Sequence, residues 1–191
     1  LITDPPLAVQ TADAKYLSLD AVLASADILT LHVPLIEEGR WPTRRFIAAN
    51  QLALLGKEAW LINACRGEVL DVGALQDAIV SGQLNEVVLD VWDPEPAWPI
   101  DLHNRIRFGS AHIAGHSYEG KWNGTLQVYK QLVAWFGLTD KSVSLDCSFR
   151  PESRVLDCSN LSLRAVVQTV YDIRKDDGLL RELTSLSPNE R

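Results

Sequence analysis

A chain of 191 residues is long enough for one sizeable hydrophobic core or one and a half ordinary domains. Its net charge of −7 without a basic cluster argues against nucleic-acid binding. No apolar run approaches the roughly 20 residues of a membrane span, so small molecules and protein partners remain. Cys65, Cys147 and Cys158 form no CxxC pair, and four histidines are scattered. This points to free thiols in a reducing cytoplasm and to no metal site. Leu1-Ile2-Thr3-Asp4 lacks the regions of a signal peptide, and the chain holds no methionine. An N-terminal part of the natural protein is expected to precede it.

In chain order, Leu1 to Thr3 is apolar and β-prone, and Asp4-Pro5-Pro6 stops it, since proline lacks the donor and pushes the preceding residue out of the helical region. Two roles are open to Asp4. It caps the turn, or it accepts hydrogen bonds from adenosine ribose hydroxyls, as acidic residues at strand ends of dinucleotide-binding sheets do. Residues 18–25 read as a short helix capped by Ser18, with Leu19, Val22 and Leu23 on one face. Residues 26–34 read as a buried strand ended by Pro34, with His32 in a structural role. A polar loop at 37–43 and a helix at 46–55 follow, the latter ended by Gly56. Residues 59–64 form the next strand, 71–80 a helix between Asp71 and Gly82, 86–92 a strand, and 106–110 a shorter one. The alternation predicts an α/β fold, a doubly wound, mostly parallel sheet with right-handed crossovers, incomplete at its N-terminal side.

Residues 118–136 read as one long helix whose Trp122, Leu126, Tyr129, Leu132, Val133 and Phe136 serve as core. A domain boundary falls between residues 138 and 139, dividing 1–138 from 139–191. In the second part, 142–150 is a candidate strand and 161–173 a helix. Arg174-Lys175-Asp176-Asp177 reads as a solvated mixed-charge face, and 185–191 as a loop. This tail of about 50 residues is too small to be stable alone.

The chemistry concentrates where apolar strands stop. Arg66 follows Trp60-Leu61-Ile62-Asn63-Ala64-Cys65 and precedes Gly67, Glu95 stands between prolines in Asp93-Pro94-Glu95-Pro96, and His112 sits among small residues in Ala111-His112-Ile113-Ala114-Gly115. Ligands of open α/β sheets bind beyond the strands' carboxyl ends, so three such residues converge on one edge. Arg66 is either a surface residue opening a loop or a clamp for a substrate carboxylate. A histidine paired with a carboxylate is the usual proton-transfer unit, the anion fixing its tautomer. Together they make a site for oxidising a 2-hydroxy acid, with Asp90 either capping its loop or holding the nicotinamide of a cofactor. No GxGxxG fingerprint is present.

Asn63-Ala64-Cys65-Arg66-Gly67, Leu89-Asp90-Val91-Trp92-Asp93-Pro94-Glu95-Pro96 and His112-Ile113-Ala114-Gly115 together resemble the D-isomer-specific 2-hydroxyacid dehydrogenases. Within that family, the Cys-Arg-Gly wording and Val170-Tyr171-Asp172-Ile173-Arg174-Lys175-Asp176-Asp177 resemble a branch acting on a phosphorylated 2-hydroxy acid. The resemblance implies that Arg66, Glu95 and His112 are catalytic and that Asp4, Val33, Ala64, Cys65, Arg66, Asp90 and Gly115 line an NAD site. It implies further that Arg66 and His116 meet the substrate, and that the segment after about residue 140 begins an α+β dimerisation domain of a homodimer. Residues 1–138 would be the C-terminal part of the NAD-binding domain, with the glycine-rich turn upstream. The chain departs from the family pattern at His116 (tyrosine), Val33 (threonine) and Arg45 (histidine). The same wording also fits a dehydrogenase for phosphoglycerate or hydroxypyruvate, or a non-catalytic NAD-sensing protein of the same fold.

Overall fold

The structure, a computed structural model, describes residues 1–97, 99–141 and 157–184. The chain divides into two compact units, Leu1–His112 with Ile173–Arg191, and Ile113–Asp172. The first unit is built on β1 (Ile28–Leu31), β2 (Trp60–Asn63), β3 (Glu86–Leu89) and β4 (Phe108–Gly109), all parallel and side by side in chain order. Around them stand α1 (Pro5–Thr11), α2 (Leu19–Ser25), α3 (Ala49–Leu52), α4 (Val72–Val80), α5 (Ile100–His103) and α8 (Ile173–Thr184).

Strands that advance one way across a sheet through right-handed crossovers send their connections to one face. The burial of the strands follows. Leu29, Leu31, Leu61, Asn63, Val87 and Leu89 are buried, whereas their alternating neighbours are half-buried or exposed, Ile28 at 63%. The parallel strands with their helices make the Rossmann-like α/β arrangement expected, and one face of the described sheet is the more deeply buried. Its covered face meets Val22 and Leu23 of α2, Leu52 of α3, and Leu75 and Ala78 of α4 in one core cluster.

Local signals account for the helix starts. Ser18 Oγ accepts the Ala21 N–H at 3.3 Å and Asp71 Oδ1 that of Ala74 at 3.0 Å, each satisfying a donor that a helix N-terminus leaves open. Gly82, at φ +71°, takes the left-handed turn that follows α4. Other expectations are corrected. Leu1 to Thr3 contributes one parallel bridge, Ile2 to Tyr16, and Asp4-Pro5-Pro6 opens α1. Proline suits a first helical turn because its missing N–H would have had no partner there. The helix expected at 46–55 shrinks to α3, since Ile47 is bridged to Leu70 and Ala48 is extended.

In the second unit, α6 (Tyr118–Trp135) and α7 (Leu163–Val170) are helices. Of the six apolar residues read as core in the first of these, Val133 is buried, Trp122, Leu126 and Tyr129 are half-buried, and Leu132 and Phe136 are exposed. A helix in so small a unit has only a narrow stripe to bury. The helix expected at 161–173 ends at Val170, where Tyr171 turns extended and Ile173 starts α8. The strand expected at 142–150 and the loop at 185–191 lie outside the described residues.

The largest correction concerns Arg174-Lys175-Asp176-Asp177. This run belongs to α8, which lies against β4, and Asp177 is only 8% exposed. Its Oδ1 accepts the Gly109 N–H at 2.8 Å and meets His103 Nε2 at 3.2 Å, while Arg181 donates to both its oxygens at 3.0 and 2.8 Å. Arg181 also reaches the Ile106 carbonyl at 3.3 Å. An ionised carboxylate is acceptor-only, so His103 Nε2 carries the proton and the buried Nδ1, without a partner among the described residues, is a bare lone pair.

Burial lowers the His103 pKa from its ordinary 6.5, more strongly than the Asp177 contact raises it. For Asp177 burial pulls upward, but hydrogen bonds from Arg181, Gly109 and His103 outweigh it and hold the carboxyl below its usual 3.8. Both folded values are depressed, so in each case the unfolded chain binds the proton first. The stability these groups lend is therefore complete above 6.5 and falls with pH, first through His103, then below 3.8 through Asp177. Melting temperature should decline as pH is lowered from 7 towards 5, and His103→Gln should flatten that decline; a pH-independent melting temperature over this range would refute it.

Candidate active site

The site is assembled where β2, β3 and β4 end on the same edge of the sheet. After β2 the chain must turn sharply, and Asn63, fully buried, organises the turn. Its Nδ2 donates to the Arg66 carbonyl at 2.9 Å, and its Oδ1 accepts from the Cys65 N–H and Sγ, each at 3.1 Å. Arg66 is held at the exit while its guanidinium stays exposed, one Nη1–H donating to the Cys65 carbonyl at 2.7 Å. Gly67 then begins a 3-10 turn, Gly67–Val69, pressed against the next strand's exit. A Cβ on Gly67 would lie 1.9 Å from the Trp92 carbonyl oxygen and 2.8 Å from the Asp93 nitrogen. Only glycine fits there.

At the end of β3, Asp90 is a junction. Its N–H donates to the Asn63 carbonyl at 2.9 Å, its carbonyl accepts the His112 N–H at 2.7 Å, and its Oδ1 accepts from Ser110 Oγ at 2.6 Å. Trp92, buried, donates Nε1–H to the Ser110 carbonyl at 2.9 Å, and its backbone N–H donates to Glu95 Oε1 at 2.9 Å. Glu95 is thereby turned so that Oε2 meets His112 Nδ1 at 2.8 Å. The pair is about one-third exposed, His112 at 37% and Glu95 at 35% of their side chains.

His112 has φ +54°, in the left-handed region. For a residue other than glycine this conformation is costly, and it persists only where surrounding bonds over-determine it. Here the Asp90 carbonyl fixes the backbone and Glu95 the ring. Because the carboxylate can only accept, the neutral ring holds its proton on Nδ1 and presents a lone pair on Nε2, the form a general base needs.

The remaining sequence-derived candidates each have their own local surroundings. Ala64 is exposed at the same turn as Arg66, and Cys65 packs partly on the core. Val33 follows β1 and packs against the core cluster with no hydroxyl to offer. Asp4 caps α1 through Oδ1, which accepts the Leu7 N–H at 2.9 Å, and Oδ2 has no partner among the described residues. Beside it, the buried Thr3 Oγ1 also lacks one among those residues. Gly115 and His116 belong to the second unit, in a turn closed by His116 N–H donating to the Ile113 carbonyl at 2.9 Å. At Gly115 a Cβ would meet nothing within 4 Å, so no close contact calls for glycine there. His32 shares a 2.9 Å hydrogen bond with Thr30, the local role expected of it.

A family profile described as D-isomer specific 2-hydroxyacid dehydrogenase, NAD binding domain, matches residues 3–114. The chain belongs to that family. Among curated members of the dehydrogenases it resembles, erythronate-4-phosphate dehydrogenase of Pectobacterium atrosepticum is 40% identical over 187 residues, covering 95% of this chain and 49% of that protein. The enzyme of the same name from Pseudomonas aeruginosa is 38% identical over 199 residues, covering 100% of this chain and 52% of that protein. The chain thus spans about half the length of the curated relatives it matches.

Solved structures of 2-hydroxyacid dehydrogenases share the fold. A glyoxylate reductase from Paecilomyes thermophila is 30% identical at a TM-score of 0.56, over 70% of this chain and 39% of that one. The NAD-complexed D-isomer specific 2-hydroxyacid dehydrogenase of Lactobacillus delbrueckii ssp. bulgaricus is 28% identical at a TM-score of 0.53, over 68% and 43%.

Sequence reasoning missed the supports of this candidate site: Asn63, Ser110, and the contact between Trp92 and the turn at Gly67. A polar Asn63 at the end of an apolar run was the available signal for the first. Gly67→Ala should destabilise the protein by about 1–3 kcal/mol, the usual cost of overpacking, and lower turnover through displacement of Arg66. Denaturant unfolding and a rate assay check this; wild-type values in both would mean that the two loops can separate freely.

Proposed function

We propose that the protein carrying this chain is an NAD-dependent oxidoreductase that converts 4-phospho-D-erythronate to 3-hydroxy-2-oxo-4-phosphobutanoate, a step of pyridoxal 5′-phosphate biosynthesis. The observation that carries the chemistry is the 2.8 Å contact between His112 Nδ1 and Glu95 Oε2, which leaves His112 Nε2 as a base at the sheet's ligand edge. The substrate assignment rests on the likeness to the erythronate-4-phosphate dehydrogenases, which runs over nearly the whole chain.

In this reading Arg66 binds the substrate carboxylate with the donors of its fork not used by Cys65, a geometry suited to planar anions. His112 Nε2 takes the proton of the 2-hydroxyl as the carbon gives up hydride, and Glu95 supports the imidazolium that forms. NAD, when bound, supplies the hydride acceptor. The chain offers that cofactor a carboxylate oxygen: Asp4 Oδ1 caps α1, and Oδ2, without a partner among the described residues, suits a ribose hydroxyl. The family likeness is what suggests Asp90, Ala64, Cys65, Val33 and Gly115 for the cofactor and His116 for the substrate. The protein acts as a homodimer in the cytoplasm, with the segment after residue 140 contributing to the dimer.

In the intact protein, His112→Ala should lower kcat by about 10²–10⁴-fold, the range of a lost general base. Arg66→Ala should raise the substrate KM and lower kcat together, whereas an arginine of purely structural use would lower the melting temperature without selective kinetic loss. Turnover of phosphoglycerate or hydroxypyruvate with none of phosphoerythronate would overturn the substrate assignment.

A further inference from the structure

Helix α8 carries one buried carboxylate, Asp177, and that carboxylate reaches β4, the strand that leads to His112. We propose that Asp177 is a positioning residue for the His112–Glu95 pair, an inference that rests on the role given to that pair above. The route is continuous. Strand β4 is two residues long and lies at the edge of the described sheet; the Arg107 and Ser110 N–H groups bond back to Val87 and Leu89 on the β3 side, while Gly109 turns its N–H the other way. The Gly109 N–H has Asp177 Oδ1 as its acceptor at 2.8 Å.

One residue later, Ser110 donates through Oγ to Asp90 and accepts through its carbonyl from Trp92. Two residues after that, His112 is fixed by the Asp90 carbonyl. On the other branch, His103 is held by Asp177 at 3.2 Å and meets the Trp92 ring edge-to-face, with centroids 5.2 Å apart. Trp92 in turn supplies the N–H that orients Glu95.

Both members of the pair are thus reached from one carboxylate through β4 and Trp92. Gly109 leaves no slack in this arrangement, because a Cβ there would stand 2.8 Å from the His103 ring and 2.9 Å from that of Trp92. Arg181 neutralises Asp177 and ties α8 to the Ile106 carbonyl at the start of the same segment. A shift of β4 relative to β3 changes the angle at which His112 meets Glu95, and misplacement of about 1 Å at a catalytic group costs on the order of a hundredfold in rate.

The test uses the intact protein with Asp177→Ala, Asp177→Asn and Trp92→Phe, assayed at a temperature where circular dichroism shows each folded. Asp177→Ala should lower kcat by about a hundredfold with KM for NAD unchanged and should alter the pH profile of kcat. Asp177→Asn, which keeps an oxygen for Gly109, should recover part of the loss, and Trp92→Phe should give a smaller loss in the same direction. Should Asp177→Ala fail to fold, the other two variants carry the comparison.

The His112 Nδ1 proton resonance gives a readout independent of turnover, and it should move upfield in Asp177→Asn as the bond to Glu95 loosens. Lower melting temperature with unchanged kcat, pH profile and resonance would reduce Asp177 to a structural residue and overturn the proposal. If the wild-type protein turns over no phosphorylated 2-hydroxy acid, the functional reading fails while the resonance still decides the positioning.

Discussion

The candidate site depends on a close approach between two backbones. The turn at Gly67 lies on the peptide that joins Trp92 to Asp93, with no room for a single methyl group between them. Neighbouring parallel strands are about 4.8 Å apart, and their exits would normally be separated further by the side chains of the turns that follow. Removing the side chain at one position lets the Arg66 turn and the Glu95 loop share a surface. The guanidinium is thereby tied in space to a loop almost thirty residues away in the chain.

The rest of the site is registered in the same way, by main-chain groups more than by side-chain packing. Glu95 reads the Trp92 N–H, and His112 reads the Asp90 carbonyl. Asp90 reads the Asn63 carbonyl, so the exits of β2, β3 and β4 are joined in one hydrogen-bonded series. Buried polar side chains close what the backbone leaves open: Asn63 within its own turn and Ser110 against Asp90. In a water-poor interior each such group needs a partner, which makes the arrangement specific as well as stable. Against this frame His112 can be kept in a backbone conformation that an isolated chain would rarely adopt.

What was legible in the sequence was local or periodic. Ser18 and Asp71 announced helix starts because a cap acts on residues three positions away, and the apolar runs around Leu61 and Val87 announced parallel strands. That Glu95 and His112 meet was foreshadowed because each stands past the carboxyl end of a strand of one parallel sheet, where such ends converge. The burial of Asp177 was not, since its partners His103 and Gly109 lie 74 and 68 residues away and the charged neighbours on α8 look solvated by composition. Asp4 shows a different limit. The same Asp-Pro-Pro that ends a strand also begins a helix, and only the surrounding chain decides between them.

Asp177 also affects how the chain is made. An edge strand with an unsatisfied N–H offers a template to any other extended chain, and proteins blunt such edges to avoid association. Here the blunting group is a carboxylate delivered by a helix 68 residues downstream of Gly109. During vectorial synthesis β4 therefore leaves the ribosome well before the residue that protects it. For that interval the nascent sheet carries an open border, and a chain stalled or cleaved ahead of Asp177 keeps that border permanently, inviting strand addition between copies.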